Sequence, residues 1–270
     1  MEISGKTVVI TGAGSGIGAA LALRFSKHGA QVVVSDRNIS AAQQVADEIG
    51  GLAVFCDVGS ESNIQDLIRV AEQKFGQIDI FVSNAGLGRG EPNHAASAPD
   101  ADWDLNWRVH VMAHVWAARA LLPRMIERGS GYFINVASAA GLLNQIGDAA
   151  YSATKHAAVS FAESLAISHG SQGIGVSVVC PQYVATPLIG LTDVDAEDTS
   201  ALLTAFDVAD SVVSGVQEGR FLILPHPQVS EFTARRAADH DRWVSGMQVL
   251  RNKVEVTFGS VDLQQMYKLV

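Results

Sequence analysis

The chain of 270 residues is 48% hydrophobic and 17% charged, which suits one large α/β domain with a sizeable core and excludes a disordered chain. Its net charge of −9, with no basic cluster to reverse it, argues against nucleic acid or anionic membrane as a partner. The two cysteines, Cys56 and Cys180, lie in separate apolar runs and read as buried thiols, neither a disulfide framework nor a metal set. No apolar run is long enough to span a bilayer and no signal peptide precedes the first apolar run, so a cytoplasmic location is expected.

Taken in chain order, Lys6–Thr11 is short, β-branched and ended by glycine, the mark of a buried strand. Thr11-Gly-Ala-Gly-Ser-Gly-Ile-Gly18 follows and leads into a helix over Ala19–His28. A strand, a glycine turn and a helix N-terminus together can cradle a pyrophosphate on backbone N–H groups. The glycines at 12, 16 and 18 give the spacing G-x-x-x-G-x-G, with Ser15 and Ile17 inside the loop. Gln31–Ser35 is the second strand and ends in Asp36-Arg37. A carboxylate there can accept hydrogen bonds from an adenosine ribose and repels a 2′-phosphate, so NAD is favoured over NADP; Arg37 is the one nearby group that could accommodate the phosphate.

Helix Ser40–Ile49, strand Leu52–Cys56 ending in Asp57-Val58, helix Ser62–Phe75 and strand Asp79–Val82 ending in Ser83-Asn84-Ala85-Gly86 continue the alternation. Strands alternating with helices signal a doubly wound parallel sheet with helices on both faces. After the loop Gly86–Pro99, a long helical stretch Asp102–Arg128 with a possible break at Pro123 leads to strand Gly131–Ala137, helix Ala149–His169 and strand Gly173–Cys180. The connection 182–206 then holds apolar and acidic residues but no lysine or arginine. So long a connection in one domain is expected to be a substrate lid. Helix Asp207–Glu218, strand Phe221–Leu224 and a helix over Gln228–Lys253 complete a domain 1–253, and the tail 254–270 shows no periodicity.

Ser138 closes the strand Gly131–Ala137, and Tyr151 lies four residues before Lys155. On a helix that spacing puts phenol and ammonium on one face. Left alone they titrate near ~10 and ~10.4, but an adjacent ammonium favours the phenolate and makes the tyrosine a better proton donor and acceptor near neutrality. Ala153, Ala157, Phe161 and Leu165, at steps of four, suggest the apolar stripe of that helix.

Thr11-Gly-x-x-x-Gly-x-Gly18, Asn84-Ala-Gly86, Ser138 and Tyr151-x-x-x-Lys155, in this order at strand ends, resemble the short-chain dehydrogenase/reductase family over about residues 5–225. The resemblance implies a single Rossmann-like domain with a sheet of about seven strands, an NAD(P) cofactor, and hydride transfer between nicotinamide and an alcohol or carbonyl carbon. It implies Tyr151 as acid/base, Ser138 as the group orienting the substrate oxygen, and Lys155 as the holder of the nicotinamide ribose. It also implies adenine contacts at Asp57 and Val58, a strand-steadying role for Asn84, a carboxamide contact at Thr186, and further cofactor contacts along Ala85, Gly86, Pro181 and Val184. Pro181-Gln182 replaces the family's usual Pro-Gly. The asparagine that many members carry in the preceding helix falls on His110, a ring that can join a proton path or merely pack. The family's paired helices imply a homodimer or homotetramer formed through 102–128 and 149–169.

His94, His114, His156, His169, His226 and His240 lack metal-ligand spacing, so no metal is expected, and Trp103, Trp107 and Trp116 read as packing residues. Leu142, Leu143, Ile146, Tyr183, Leu188 and Leu191 flank the expected site and suggest an apolar substrate pocket. The function expected is an NAD-dependent dehydrogenase acting on a neutral, fairly apolar secondary alcohol or ketone. The alternatives are an NADPH-dependent 3-oxoacyl reductase, disfavoured by Asp36, and a low-turnover nicotinamide-binding sensor or scaffold.

Overall fold

The computed structural model describes residues 1–91, 93–196, 201–261 and 264–269. In its first half β1 (Thr7–Thr11), α1 (Gly16–Lys27), β2 (Gln31–Asp36), α2 (Ile39–Ile49), β3 (Leu52–Phe55), α3 (Glu61–Phe75) and β4 (Ile80–Ser83) alternate without exception. Then come α4 (Asp100–Trp107), a π-helical turn (Arg108–Met112), α5 (Ala113–Glu127), β5 (Gly131–Val136), α6 (Ala140–Leu143), α7 (Ala149–His169) and β6 (Ile174–Val179). The chain continues through β7 (Tyr183–Ala185), α8 (Asp193–Ala196), β8 (Leu202–Thr204), α9 (Ala205–Gln217), β9 (Leu222–Ile223), α10 (Gln228–Ala238) and α11 (His240–Phe258).

Seven strands pair in parallel in the order β3-β2-β1-β4-β5-β6-β9. The side-chain period of two explains why their sequences are apolar throughout. Val8, Ile10, Val32, Val34, Ile80 and Val82 face a core closed by α1, α2 and α9. Val9, Val33, Phe81 and Phe133 face the opposite core, closed by α3, α5 and α7. The order reverses between β1 and β4, and a crevice opens there at the carboxyl ends of the strands.

Four expectations change. The buried face of α7 runs through Ala150, Thr154, Ala158, Ala162 and Leu165, and Ala153 is exposed. The row Ala153, Ala157, Phe161, Leu165 starts on the exposed side and, drifting about 40° per step of four around the helix, reaches the buried face only at Leu165. Pro123 lies inside α5 without ending it; the irregularity is the π-turn at 108–112, fifteen residues earlier at its start. The connection 182–206 is partly ordered: β7 and β8 pair in parallel as a separate ribbon, and residues 197–200 of it lie outside the described residues. The C-terminal helix is two helices, divided at Asp239, whose side chain accepts the Arg242 N–H and caps α11. That helix runs past 253 to Phe258, and Val254 and Met266 pack with Tyr183, Ala185 and Leu202 into a small satellite core.

Candidate active site

The crevice begins at the glycine loop. Gly12 and Gly16 have φ of +63° and +53°, a left-handed conformation that L side chains rarely adopt. At Gly18 a Cβ would stand 2.2 Å from the Gly12 carbonyl oxygen and 2.5 Å from the Asn84 amide nitrogen, so only glycine fits. Asn84 donates from Nδ2 to the carbonyls of Thr11 (2.8 Å) and Gly12 (3.1 Å), and its own N–H bonds Thr11 Oγ1 at 3.0 Å. This ties the end of β4 to the loop after β1.

The N-terminus of α1 opens on the crevice with no side-chain cap from Ser15. Its N–H groups and partial positive charge are left for an anion. Asp36, at the end of β2, accepts the Gly14 N–H at 3.0 Å and the Asn38 N–H at 2.8 Å. That fixes its carboxylate beside the loop with lone pairs still available. The crevice holds about 640 Å³ and is lined by every residue expected to meet the cofactor, from Gly12, Ser15, Gly16, Ile17 and Gly18 through Asp36, Arg37, Asp57 and Val58 to Asn84, Ala85, Gly86, Pro181, Val184 and Thr186. An uncapped helix end, a side-chain-free turn and a carboxylate one ribose away fit a dinucleotide.

Tyr151, Lys155 and Ser138 line the same crevice. Lys155 is buried and donates from Nζ to the Val136 carbonyl at 3.0 Å. Its Nζ lies 5.5 Å from the Tyr151 ring centre. Burial pulls the Lys155 ammonium down to about 8. Burial likewise pushes the Tyr151 phenol up to about 12, with the Ser138 hydrogen bond offsetting part of the rise. One edge of Tyr151 meets the crevice, so water there moderates the shift without reversing it. In the protein by itself desolvation is the largest influence on this phenol, against the phenolate-favouring effect expected of a neighbouring ammonium.

His110 lies wholly buried in the π-turn. Its Nε2 accepts the Leu87 N–H at 3.1 Å, which places the ring proton on Nδ1, 3.0 Å from Thr154 Oγ1. Thr154 Oγ1 in turn donates its hydrogen bond to the carbonyl of Ala150 (2.9 Å) or Tyr151 (3.0 Å). The ring also stands edge-on to Tyr151, centroids 5.3 Å apart. Both nitrogens are thus engaged, and burial holds the imidazole well below its ordinary range, hence neutral. His110 does not line the crevice; it pins the strand-end loop to the helix that carries Tyr151 and Lys155. Asp148, Leu87 and Thr154 escaped the sequence reading. Asp148 caps α7 through the Tyr151 N–H at 3.1 Å and also accepts the Arg89 and Gly90 N–H groups at 3.2 and 2.9 Å. An acidic N-cap three residues before the tyrosine was its available signal.

Beyond Ser138 a second cavity of about 790 Å³ runs outward under α10 and α11. Leu143, Ile146 and Tyr183 are among the residues that line it. Leu188 instead borders the cofactor crevice. Leu142 and Leu191 border neither: Leu142 packs beneath α10, its carbonyl accepting from Arg236 at 2.7 Å, and Leu191 packs in the satellite core. The remaining apolar wall, including Phe232, Trp243, Met247 and Leu250, comes from the C-terminal helices. Gln182 lines both cavities, and its N–H is held by His226 Nδ1 at 3.1 Å. Among the described residues no cluster of His, Cys, Asp and Glu could hold a metal ion, and no helix is long and apolar enough to cross a membrane.

The family model for short chain dehydrogenase matches residues 6–196. A (+)-borneol dehydrogenase 2 of Salvia officinalis is 32% identical, with 93% of this chain and 89% of that protein covered. A short-chain dehydrogenase/reductase of Burkholderia phymatum, solved in complex with NAD, superposes with a TM-score of 0.81 at 28% identity over 89% of this chain and 96% of that one. A 3-ketoacyl-(acyl-carrier-protein) reductase of Brucella melitensis, complexed with NADH, gives a TM-score of 0.75 at 32% identity over 83% and 98%.

Proposed function

The chain belongs to the short-chain dehydrogenase family, and on that premise we propose that it is an NAD-dependent oxidoreductase interconverting a secondary alcohol and its ketone. The observation that carries this reading is the convergence of Ser138, Tyr151 and Lys155 on one crevice with the glycine loop. NAD is favoured by the Asp36 carboxylate at the ribose position and by the NAD and NADH complexes of the two similar structures.

Bound in its oxidised form, NAD supplies the hydride acceptor and a positive ring. The chain's own residues manage the proton. Tyr151, as phenolate, takes the hydroxyl proton of the alcohol on its Oη; in reduction it returns it. Ser138 donates its hydroxyl proton to the substrate oxygen and stabilises charge there. Lys155 holds the cofactor ribose and favours the phenolate. Burial pushes the phenol up to about 12 in the protein by itself, and the Lys155 ammonium is the chain's own group that would favour the phenolate. His110 acts through the frame, because a proton can pass through its ring only if the Leu87 or Thr154 contact opens.

A largely apolar substrate body is favoured by the wall of Ile146, Phe232, Trp243 and Met247. The whole chain is read as one catalytic domain. Assembly as a dimer or tetramer is favoured by the apolar outer surface of α4 and α7, where Trp107 is 48% and Ile167 84% exposed. The 3-oxoacyl reductase reading draws on the Brucella neighbour; it predicts turnover of acyl-thioester ketones in preference to simple alcohols. A screen of secondary alcohols, ketones and 3-oxoacyl thioesters, read at the reduced-nicotinamide absorbance with NAD and NADP cofactors, separates the readings. Tyr151→Phe should abolish turnover and leave the Kd for NAD nearly unchanged; activity surviving in that variant, or equal use of NADP, overturns the proposal.

A further inference from the structure

The expectation of a neutral substrate rests on the segment 182–206, which has no lysine or arginine. The fold brings basic groups to the substrate cavity from elsewhere. Its outer wall, on α10 and α11, carries Arg235 and Arg242 against the single carboxylate Asp239. In a chain with 28 acidic and 19 basic residues, that lining reverses the average balance.

Most arginines of this helix pair already have partners. Arg235 pairs with Glu231 one turn back and lies over the Phe232 ring at 5.9 Å. Arg236 donates to the Leu142 carbonyl at 2.7 Å and ties α10 down over α6. Arg251 pairs with Glu255 at 3.0 Å. The Arg242 guanidinium has no hydrogen bond or ion pair among the described residues, while its main-chain N–H is taken by the Asp239 cap at 2.9 Å. Arg242 and Ser138 line this one cavity, and Ile146, Trp243, Met247 and Leu250 are among its apolar wall.

We propose that the cavity takes an alcohol or ketone with an apolar body and a carboxylate at its far end, the carboxylate meeting Arg242 while the reacting carbon lies at Ser138. A planar guanidinium presents a fork of N–H donors that matches a carboxylate in two parallel hydrogen bonds. An apolar body between the two ends suits the side chains that separate them. The proposal rests on the oxidoreductase reading for the reacting end alone; the anion contact can be measured without turnover.

The test uses the full chain saturated with NAD and two probes, decanoate and methyl decanoate, whose binding is followed by calorimetry. An ion pair at an open cavity mouth should favour decanoate about three- to tenfold, less at high salt. Arg242→Ala should erase that preference by weakening decanoate alone, and Arg242→Glu should invert it. Arg242 lies in the exposed first turn of α11, and unchanged thermal midpoints in both variants verify the fold. Equal affinities in the parent, a preference that survives Arg242→Ala, or no binding of either probe overturns the proposal. Tyr151→Phe should keep the preference. If every alcohol in the screen fails to react while decanoate still binds through Arg242, the oxidoreductase reading fails and the anion site stands.

Discussion

The cofactor crevice and the outer cavity in which we place the substrate both reach Ser138, yet they are built on opposite principles. At the cofactor end the backbone sets the shape. Gly12, Gly16 and Gly18 sit where a side chain is either strained or sterically impossible, and Asn84 holds two of the carbonyls involved. In the outer cavity the shape comes from side chains such as Tyr183, Leu250 and Met266, drawn from segments up to 83 residues apart and packed with Val254 into a core of their own. A surface set by backbone tolerates almost no substitution, while a surface set by side-chain packing can be reshaped residue by residue.

The largest effect should follow from breaking the first principle. Gly18→Ala forces a methyl group to within 2.2 Å of the Gly12 oxygen, and the backbone has no flexible end to yield. A loss of stability on the order of 3 kcal/mol is expected, together with loss of NAD binding. Denaturant unfolding and NAD calorimetry measure both. A variant with parental midpoint and affinity would show that the loop is softer than its geometry implies.

The second principle predicts a separable effect. Met247→Trp fills part of the substrate cavity from α11 without touching the glycine loop. It should raise KM for bulky alcohols about tenfold, leave the NAD Kd unchanged, and move stability by less than about 1 kcal/mol because the site is half-buried at a cavity wall. A matching loss of NAD affinity would show that the two ends are mechanically one.

These two ends also differ in how far the sequence reveals them. The glycine spacing, Asn84 and Asp36 are legible because each answers a local backbone or charge demand within one strand–turn–helix unit. The order of the seven strands follows from the regular alternation. The face of α11 that carries Trp243, Met247, Leu250 and Val254 is also periodic, but period alone names no partner. Its partner, the β7–β8 ribbon, consists of two three-residue strands within a connection that has no repeating pattern. Leu142 lies in the loop before Tyr151 and Leu191 in the connection 182–206, which along the chain flank the expected site, but the fold turns them to other neighbours. The π-turn escapes a periodicity reading because the residues on both sides remain helical.

His110 joins the two ends, since it ties Leu87 on the cofactor side to Thr154 on the Tyr151 helix. His110→Ala removes both contacts and leaves the part-buried Leu87 N–H without this partner, so kcat should fall more than NAD affinity and stability should drop by about 1–2 kcal/mol. His110→Asn can replace one contact and should recover part of both. The pH profile of kcat tests how the ring works. A positioning role leaves its inflection points unchanged in both variants, whereas a shifted inflection in His110→Asn would mean that the ring carries the proton.

The smallest effect concerns pH and the helix behind the site. His114, one turn beyond His110, is buried and pulled down to about 3 by desolvation, with the nearby Lys155 charge acting in the same sense. It is neutral in the fold at every pH above that value, while in the unfolded chain it binds a proton below its ordinary value of 6.5. The unfolded state therefore gains protons first as pH falls, and stability drops from about pH 6.5 downward until the folded ring also titrates. At neutral pH this contribution is nearly absent; at pH 5 it amounts to about 2 kcal/mol of lost stability. His110 is lowered in the same direction and steepens the fall. His114→Gln removes one titrating ring and keeps an amide that can meet Asn135, the polar side chain facing it from β5. The variant should therefore lose less stability than the parent between pH 7 and pH 5, by about 2 kcal/mol in urea unfolding, whatever its stability at pH 7. Parallel curves for the two proteins over that interval would mean that His114 is solvated, and that the helix behind the site opens far more readily than its packing implies.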